Sequence, residues 1–373
     1  MKVPLLDLAP QHLALRQDLL RAIEEVLDSQ HFILGPAVER FEAACASYCR
    51  VPHALGVSSG TDALLLALMA LGIGRGDEVI TSSFSFFATA GSVVRLGARP
   101  VFVDIDPKTF LCDLDQVEER IGPKTRALLP VHLFGQCVDL DRLEDLARRH
   151  GLRLVEDAAQ ALGAEWRGRR AGSVGDVGCF SFFPSKNLGG AGDGGLVTAR
   201  DPDLFDRMAR LRNHGARPKY FHDLVGGNFR LDAIQAAILA VKLPHLDRWT
   251  EGRQQNAAFY REALGDLEAR GLLVLPEASP EGRMIYNQFT IRVPGDRREA
   301  LRRHLADRGV GTEVYYPRPL HLQRCFADLG YREGDLPEAE RASREVLSIP
   351  VHPDLSPEQR EYVADSIRAF FTA

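Results

Sequence analysis

The stretch Cys179-Phe180-Ser181-Phe182-Phe183-Pro184-Ser185-Lys186-Asn187-Leu188-Gly189-Gly190 sets one lysine in a turn after an apolar run, among small and aromatic residues. Burial disfavours an ammonium and lowers its pKa, which is what an amine needs to attack a carbonyl. A solvated loop lysine is the ordinary alternative. A second stretch, Leu152-Arg153-Leu154-Val155-Glu156-Asp157-Ala158-Ala159-Gln160, carries Asp157 to the end of an apolar strand pattern. Open α/β sheets place their ligands at that end. An uncompensated buried charge costs roughly 3–5 kcal/mol, so Asp157 calls for a cation or a donor, such as a protonated ring nitrogen. Asp157 to Gln160 fits a capping box equally well. Third, Ser58-Ser59-Gly60-Thr61-Asp62 precedes an apolar run ending at Leu71. Free N–H groups at such a helix start bind phosphate, although a plain Ser N-cap reads the same way.

The surrounding pattern supplies a frame for these residues. Short apolar runs at Glu78–Thr81, Pro100–Asp104, Ala127–His132, Leu152–Glu156, Cys179–Phe183 and Gly195–Ala199 alternate with helical stretches such as Asp115–Arg120 and Leu140–His150. That alternation predicts a large α/β unit with a mostly parallel sheet flanked by helices. The runs lack polar alternation, as strands buried on both faces do. Beyond Leu231 the texture changes. Helices are expected over Leu231–Leu243, Glu251–Leu264, Arg297–Arg308 and Pro357–Phe371, with strands at Tyr286–Val293 and Gly311–Tyr316. The expected division is a large part, 1–244, and a smaller C-terminal α+β part, 245–373.

At roughly 150 residues per domain, 373 residues also suggest two units. The chain is 45% hydrophobic and 26% charged, so disorder is excluded as its dominant state. The 46 Lys and Arg against 51 Asp and Glu leave −5 with no long run of either sign, so nucleic-acid and membrane-surface binding drop in rank. Pro4 and Asp7 interrupt the apolar stretch that a signal peptide needs. Cys45 and Cys49 have no second Cys or His pair near them, so no metal site is expected and a reduced, cytoplasmic setting is. Gly190-Ala191-Gly192-Asp193-Gly194-Gly195 matches the dinucleotide fingerprint literally, but it runs into a strand pattern where the fingerprint opens a helix.

Taken in order, SSGTDAL, VEDAAQ, SFFPSKNLGG with GDGG, and GGNFRLD (226–232) resemble the DegT/StrS-type family of pyridoxal-phosphate (PLP) sugar-nucleotide aminotransferases, of PLP fold type I. GDEVI (76–80), PVFVDID (100–106), PVHLFGQ (130–136) and YYPRPLHLQ (315–323) extend the likeness from about residue 5 to 353.

The resemblance implies roles residue by residue. Lys186 matches the lysine that bonds the cofactor and shuttles the proton, Asp157 the partner of the pyridine nitrogen, and Gln160 the partner of the ring hydroxyl. Phe86 matches the aromatic stacked on the ring, where a core phenylalanine would look the same. Gly60, Thr61 and Ser181 match the phosphate cup. Asn228 matches a loop that reaches the neighbouring subunit's phosphate, which implies a homodimer with shared sites; a turn residue beside two glycines is the alternative. Tyr316 and His321 fall in the segment that closes over the sugar, with a packed turn residue the other reading of His321. Lys219, in a basic-aromatic loop with Arg217 and Tyr220, faces either the substrate pyrophosphate or solvent. Lysine at 186, where some members carry histidine, implies transamination over dehydration. Gln160 resembles members that aminate the third sugar carbon more than the fourth, while Phe183 lacks a hydroxyl common there.

The expected activity is transfer of an amino group from L-glutamate to a nucleotide-linked keto sugar. The rivals are an aminotransferase for a cyclitol ketone, a PLP lyase or dehydratase, and a non-catalytic regulator that binds PLP or a sugar nucleotide.

Overall fold

The computed structural model describes residues 1–372. Seven strands form the main sheet: β1 (His53–Val57), β2 (Glu78–Ser82), β3 (Arg99–Val103), β4 (Thr125–Leu129), β5 (Arg153–Asp157), β6 (Val177–Ser181) and β7 (Gly195–Ala199). Their spatial order is β1-β7-β6-β5-β4-β2-β3, and only β7 runs against the others. The mixed, mostly parallel sheet expected from the alternating pattern is present.

Side-chain alternation sorts the strands between two apolar layers. Val155, Val177, Cys179 and Val197 face the layer containing the helix Gly60–Ala70. Leu154, Phe180 and Leu196 face the opposite layer, where Phe41, Leu143 and Leu239 lie. Each such side chain taken from water contributes about 1.5–3 kcal/mol. Burial on both faces explains why these strands read as continuous apolar runs. The Gly60–Ala70 helix is apolar nearly all round because it lies inside, with Leu64, Leu66, Ala67 and Leu68 all buried. The helix Leu140–His150 instead buries one stripe, is capped by Asp139 accepting from the Arg142 N–H at 3.0 Å, and stops at Gly151 in a left-handed conformation.

The remaining elements are built around a two-stranded antiparallel sheet, β8 (Phe289–Arg292) with β9 (Val346–Ile349). The helices Leu246–Ala269, Arg298–Asp307 and Pro357–Thr372 belong to the same part of the chain. One expectation fails: Gly311–Tyr316 is not a strand. It makes a single bridge, Glu313 with Ser348, and β9 already has β8 as its ladder partner. The chain then turns away toward the sheet's C-terminal edge. No sequential helix follows Gly190–Gly195, where β7 begins. Among the described residues, no helix is long and apolar enough to cross a membrane.

One buried hydrogen-bonded pair pins the end of β5. Glu156 and His132 are both fully buried, with His132 Nε2 at 2.8 Å from Glu156 Oε2. The same carboxylate accepts from the N–H groups of Gly172 (2.7 Å), Val174 (2.9 Å) and Gly175 (2.7 Å). Burial alone would push this carboxyl up, but the bonds from His132, Gly175 and Gly172 outweigh it and hold it below its ordinary 4.5. Its contribution to stability is therefore complete above pH 4.5 and lost as the pH falls through the lower folded-state value. Glu156→Ala orphans three N–H groups and should cost about 3–5 kcal/mol in urea denaturation at pH 7. A loss below about 1 kcal/mol would show that the pair is dispensable.

Candidate active site

Strand register brings three sequence-distant ends together. Asp157 pairs across from Cys179, Ser181 across from Gly195, and Val57 across from the same Gly195, so β1, β5 and β6 finish at one edge. A cavity of about 630 Å³ opens there, lined on one side by Ser59, Gly60, Thr61, Asp157, Gln160, Ser181 and Lys186. Phe86, Gln288, Glu313, Tyr315 and Tyr316 line the other.

The helix start at Gly60 supplies donors. Ser59 caps it by accepting from the Asp62 N–H at 3.1 Å, and the Ala63 N–H makes the first intrahelical bond, to the Ser59 carbonyl at 2.9 Å. The N–H groups of Gly60 and Thr61 precede that bond, so helix geometry leaves them without an internal partner. A side chain at Gly60 would meet the Ser181 Cβ at 2.8 Å, so only glycine lets the helix start this close to the end of β6.

Asp157 is buried, and its Oδ2 accepts from Thr89 Oγ1 at 2.7 Å while Oδ1 accepts from the Ala159 N–H at 3.2 Å. Thr89 Oγ1 in turn lies 2.8 Å from Ser85 Oγ. Burial raises the Asp157 carboxyl above its ordinary value, only partly offset by Thr89, Ala159 and Lys186. Gln160 is held on both atoms of its amide: Oε1 accepts from the Phe134 N–H at 2.8 Å, and Nε2 donates to the Tyr316 hydroxyl at 3.1 Å.

Lys186 stands on the loop after β6, and burial lowers its amine to about 8 against the opposing pull of Asp157. The loop is gripped from below. Asn187 donates to the Ile285 carbonyl at 3.1 Å and accepts from Asn287 at 2.8 Å, and the buried Lys242 donates to the Gly189 carbonyl. Phe86 is 58% exposed and lines the cavity, with Tyr316 6.4 Å away between ring centroids.

Three residues singled out from the sequence lie elsewhere. Asn228 is exposed on an adjoining polar cleft of about 560 Å³, which also contains Asp62, Arg230 and Asp232 and shares Ser59 and Asp193 with the main cavity. Lys219 is exposed, 5.0 Å over the Tyr220 ring, and does not line the cavity. His321 is not at the cavity wall either: it is buried, with Nε2 3.1 Å from Glu340 Oε1. Conversely, sequence reading passed over Thr89, Gln288 and Glu313. Thr89 stands three residues after Phe86, but nothing in the sequence pairs it with Asp157.

A buried amine of lowered pKa, an acid with a neighbouring hydroxyl relay, and a donor-lined helix start around one cavity make the constellation of a PLP enzyme. The residues fit that cofactor: a phosphate suits the free N–H groups, and an amine and a carboxylate share the space between. The chain belongs to the DegT/DnrJ/EryC1/StrS aminotransferase family, which it matches over residues 14–368. It is a fold type I, PLP-dependent aminotransferase. It is 50% identical over 372 residues to a pleiotropic regulatory protein of Geobacillus stearothermophilus, covering 100% of this chain and 99% of that one. It is 48% identical over 367 residues to the dTDP-3-amino-3,4,6-trideoxy-alpha-D-glucose transaminase of Streptomyces venezuelae, covering 98% and 96%. The crystal structure of S. venezuelae DesV in complex with a ketimine intermediate superposes with a TM-score of 0.95 at 47% identity, over 99% of this chain and 98% of that one. NtdA from Bacillus subtilis, solved with bound cofactor PMP, gives 0.93 at 32% identity over 100% and 86%.

With the Lys186 amine near 8, the rate at which cofactor-free protein captures PLP should rise about tenfold per pH unit below 8 and flatten above it. Stopped-flow growth of the visible band checks this. A rate constant flat between pH 6 and 8 would contradict the lowered amine.

Proposed function

We propose that this chain moves an amino group from L-glutamate to a nucleotide-linked keto sugar, at the third sugar carbon in preference to the fourth. The observation that carries the reading is the meeting of Lys186 and Asp157 on one cavity, with Gln160 between β5 and Tyr316. The relative at 48% identity is named for a 3-amino sugar, and Gln160 supports the same position.

Bound PLP supplies an electron sink for the bond broken at the substrate carbon. The chain's own residues do the rest. The N–H groups of Gly60 and Thr61 and the Ser181 hydroxyl hold the phosphate. Asp157 keeps a proton on the ring nitrogen, with Thr89 fixing the carboxylate. Gln160 faces the ring hydroxyl and Phe86 covers one ring face. Lys186 would hold the cofactor through its amine and, when free, would take the α-proton of glutamate and return a proton to the sugar carbon that is to bear the amine. Tyr316 would close the sugar side, while His321 is held in the core by Glu340.

Lys186 is the one Lys or Arg among the cavity-lining residues described, against Asp157, Asp193 and Glu313. Both substrates and the cofactor phosphate are anionic, so a single chain leaves the site short of positive charge. We infer a homodimer in which Asn228 reaches the neighbouring phosphate and Lys219 the substrate pyrophosphate. The exposed Phe32 and Ile33 support a covered surface there. We place the division between the cofactor-binding part and the smaller part after residue 244, and the enzyme in the cytoplasm.

A regulatory reading is favoured by the name of the 50% relative alone; a binder has no use for Lys186, Asp157 and Gln160 together. Adding L-glutamate to the PLP-loaded protein decides between them. Bleaching of the visible band is expected, and a band unchanged by millimolar glutamate would overturn the assignment of the donor. Lys186→Ala should lose more than about 10³-fold in turnover while keeping its fold by circular dichroism. Near-normal activity in that variant would refute the mechanism.

A further inference from the structure

Ser85, Thr89 and Asp157 form a hydrogen-bonded chain whose direction is fixed by its last member. An ionised Asp157 has no proton to give, so the 2.7 Å contact at its Oδ2 carries the hydrogen of Thr89 Oγ1. A threonine hydroxyl has only that one hydrogen. The 2.8 Å contact between Ser85 Oγ and Thr89 Oγ1 therefore carries the serine's hydrogen toward the threonine. All three side chains are buried. Ser85 stands just before the helix Ala88–Arg95 and Thr89 in its first turn, four residues on. The other donor to the carboxylate, the Ala159 N–H, is longer at 3.2 Å.

On the reading given above, Asp157 shares a proton with the cofactor's ring nitrogen. The proton lies either on the nitrogen, giving a charged pair, or on the carboxyl, giving a neutral one. Burial favours the neutral arrangement, and it raises the Asp157 carboxyl above its ordinary value. A hydrogen bond donated to a carboxylate stabilises the charged form instead. Each donor that reaches Asp157 thus moves the proton toward the nitrogen, where it makes the ring an electron sink. Ser85 acts at one remove. A hydroxyl that accepts a hydrogen bond becomes a stronger donor, by about 10–30% per bond.

We propose that Ser85 and Thr89 are positioning residues that act as one relay, holding the proton on the cofactor's ring nitrogen by keeping Asp157 ionised. This rests on the assignment of Asp157 to that nitrogen. Hydroxyls that merely satisfied each other in the interior would leave the place of that proton unchanged.

The test loads the protein with PLP carrying 15N in the ring, whose chemical shift separates a protonated from an unprotonated nitrogen. Bleaching of the visible band by L-glutamate is followed in parallel single turnovers. Wild type should show the protonated shift. Thr89→Val should move it toward the unprotonated value and slow bleaching about 10- to 100-fold. Ser85→Ala should move both in the same direction by less, about 2- to 5-fold in rate. Thr89→Ser keeps the hydroxyl and should stay within about threefold of wild type. Because the serine acts through the threonine, Ser85→Ala should add nothing in the Thr89→Val background. A nitrogen still fully protonated in Thr89→Val, or a Ser85→Ala effect that persists undiminished in that background, overturns the relay. If Thr89→Val does not fold, a Ser85→Ala protein with the wild-type shift and rate overturns it equally. An unprotonated nitrogen in wild type sinks the Asp157 assignment, and the relay with it. The shift is read without any amine, so failure of glutamate as the donor leaves this test intact.

Discussion

A carboxylate at the end of a strand buried on both faces has to be met by donors, and Asp157 sets the terms for the elements around it. Thr89 is brought to it by the short helix after β2, and the Ala159 N–H by the chain's own turn. Even so, the acid stays above its ordinary pKa. The donors around it therefore do not meet its whole demand, which leaves capacity for the protonated ring nitrogen proposed above. Glu156, one residue earlier, is by contrast satisfied by three N–H groups and His132. One of these adjacent acids is saturated and holds the strand end still, while the other is left with capacity for a ligand.

Rigidity below the site and openness above it follow from the same allocation. The loop of Lys186 is tied by Asn187, Gly189 and the buried Lys242, so the amine projects from a fixed base. On the open side, Gln160 links β5 to the Tyr316 segment through one bond of 3.1 Å. That bond couples the Gln160 amide to the Tyr316 segment, which on the reading proposed above covers the sugar. A substrate that moves Tyr316 thus acts on Gln160 directly.

Much of the fold was legible in the sequence because burial on both faces writes itself as unbroken apolar runs, and all of the runs from Glu78 to Ala199 are strands. Gly311–Tyr316 was misread because its apolar and β-branched residues serve a cavity wall, not a ladder. Of the site, Lys186, Asp157 and the start at Gly60 were visible as residue types in telling contexts. Thr89 and Gln288 were not, since a threonine in a short helix and a glutamine before a strand carry no local signature. Their meaning depends on which distant group they face. His321 shows the reverse error: a chemically capable side chain drew notice, but Glu340 takes it into the core.

The charge of the cavity then constrains the assembly. Lys186 must lose its proton to act, so at the moment of reaction the single lining cation is itself neutral, with Asp193 and Glu313 still present. On the reading proposed above, two anionic substrates would visit in turn, and such a surface alone offers them little positive charge. The donor-lined helix start offsets part of one phosphate's charge, about half an elementary charge at a helix N-terminus. The rest has to come from groups outside this chain's own cavity. The adjoining cleft with Asn228 and Arg230 opens at the shared residues Ser59 and Asp193, which is where a second copy would have to deliver them. In the homodimer proposed above, a neighbour would supply the positive charge that the described lining residues lack.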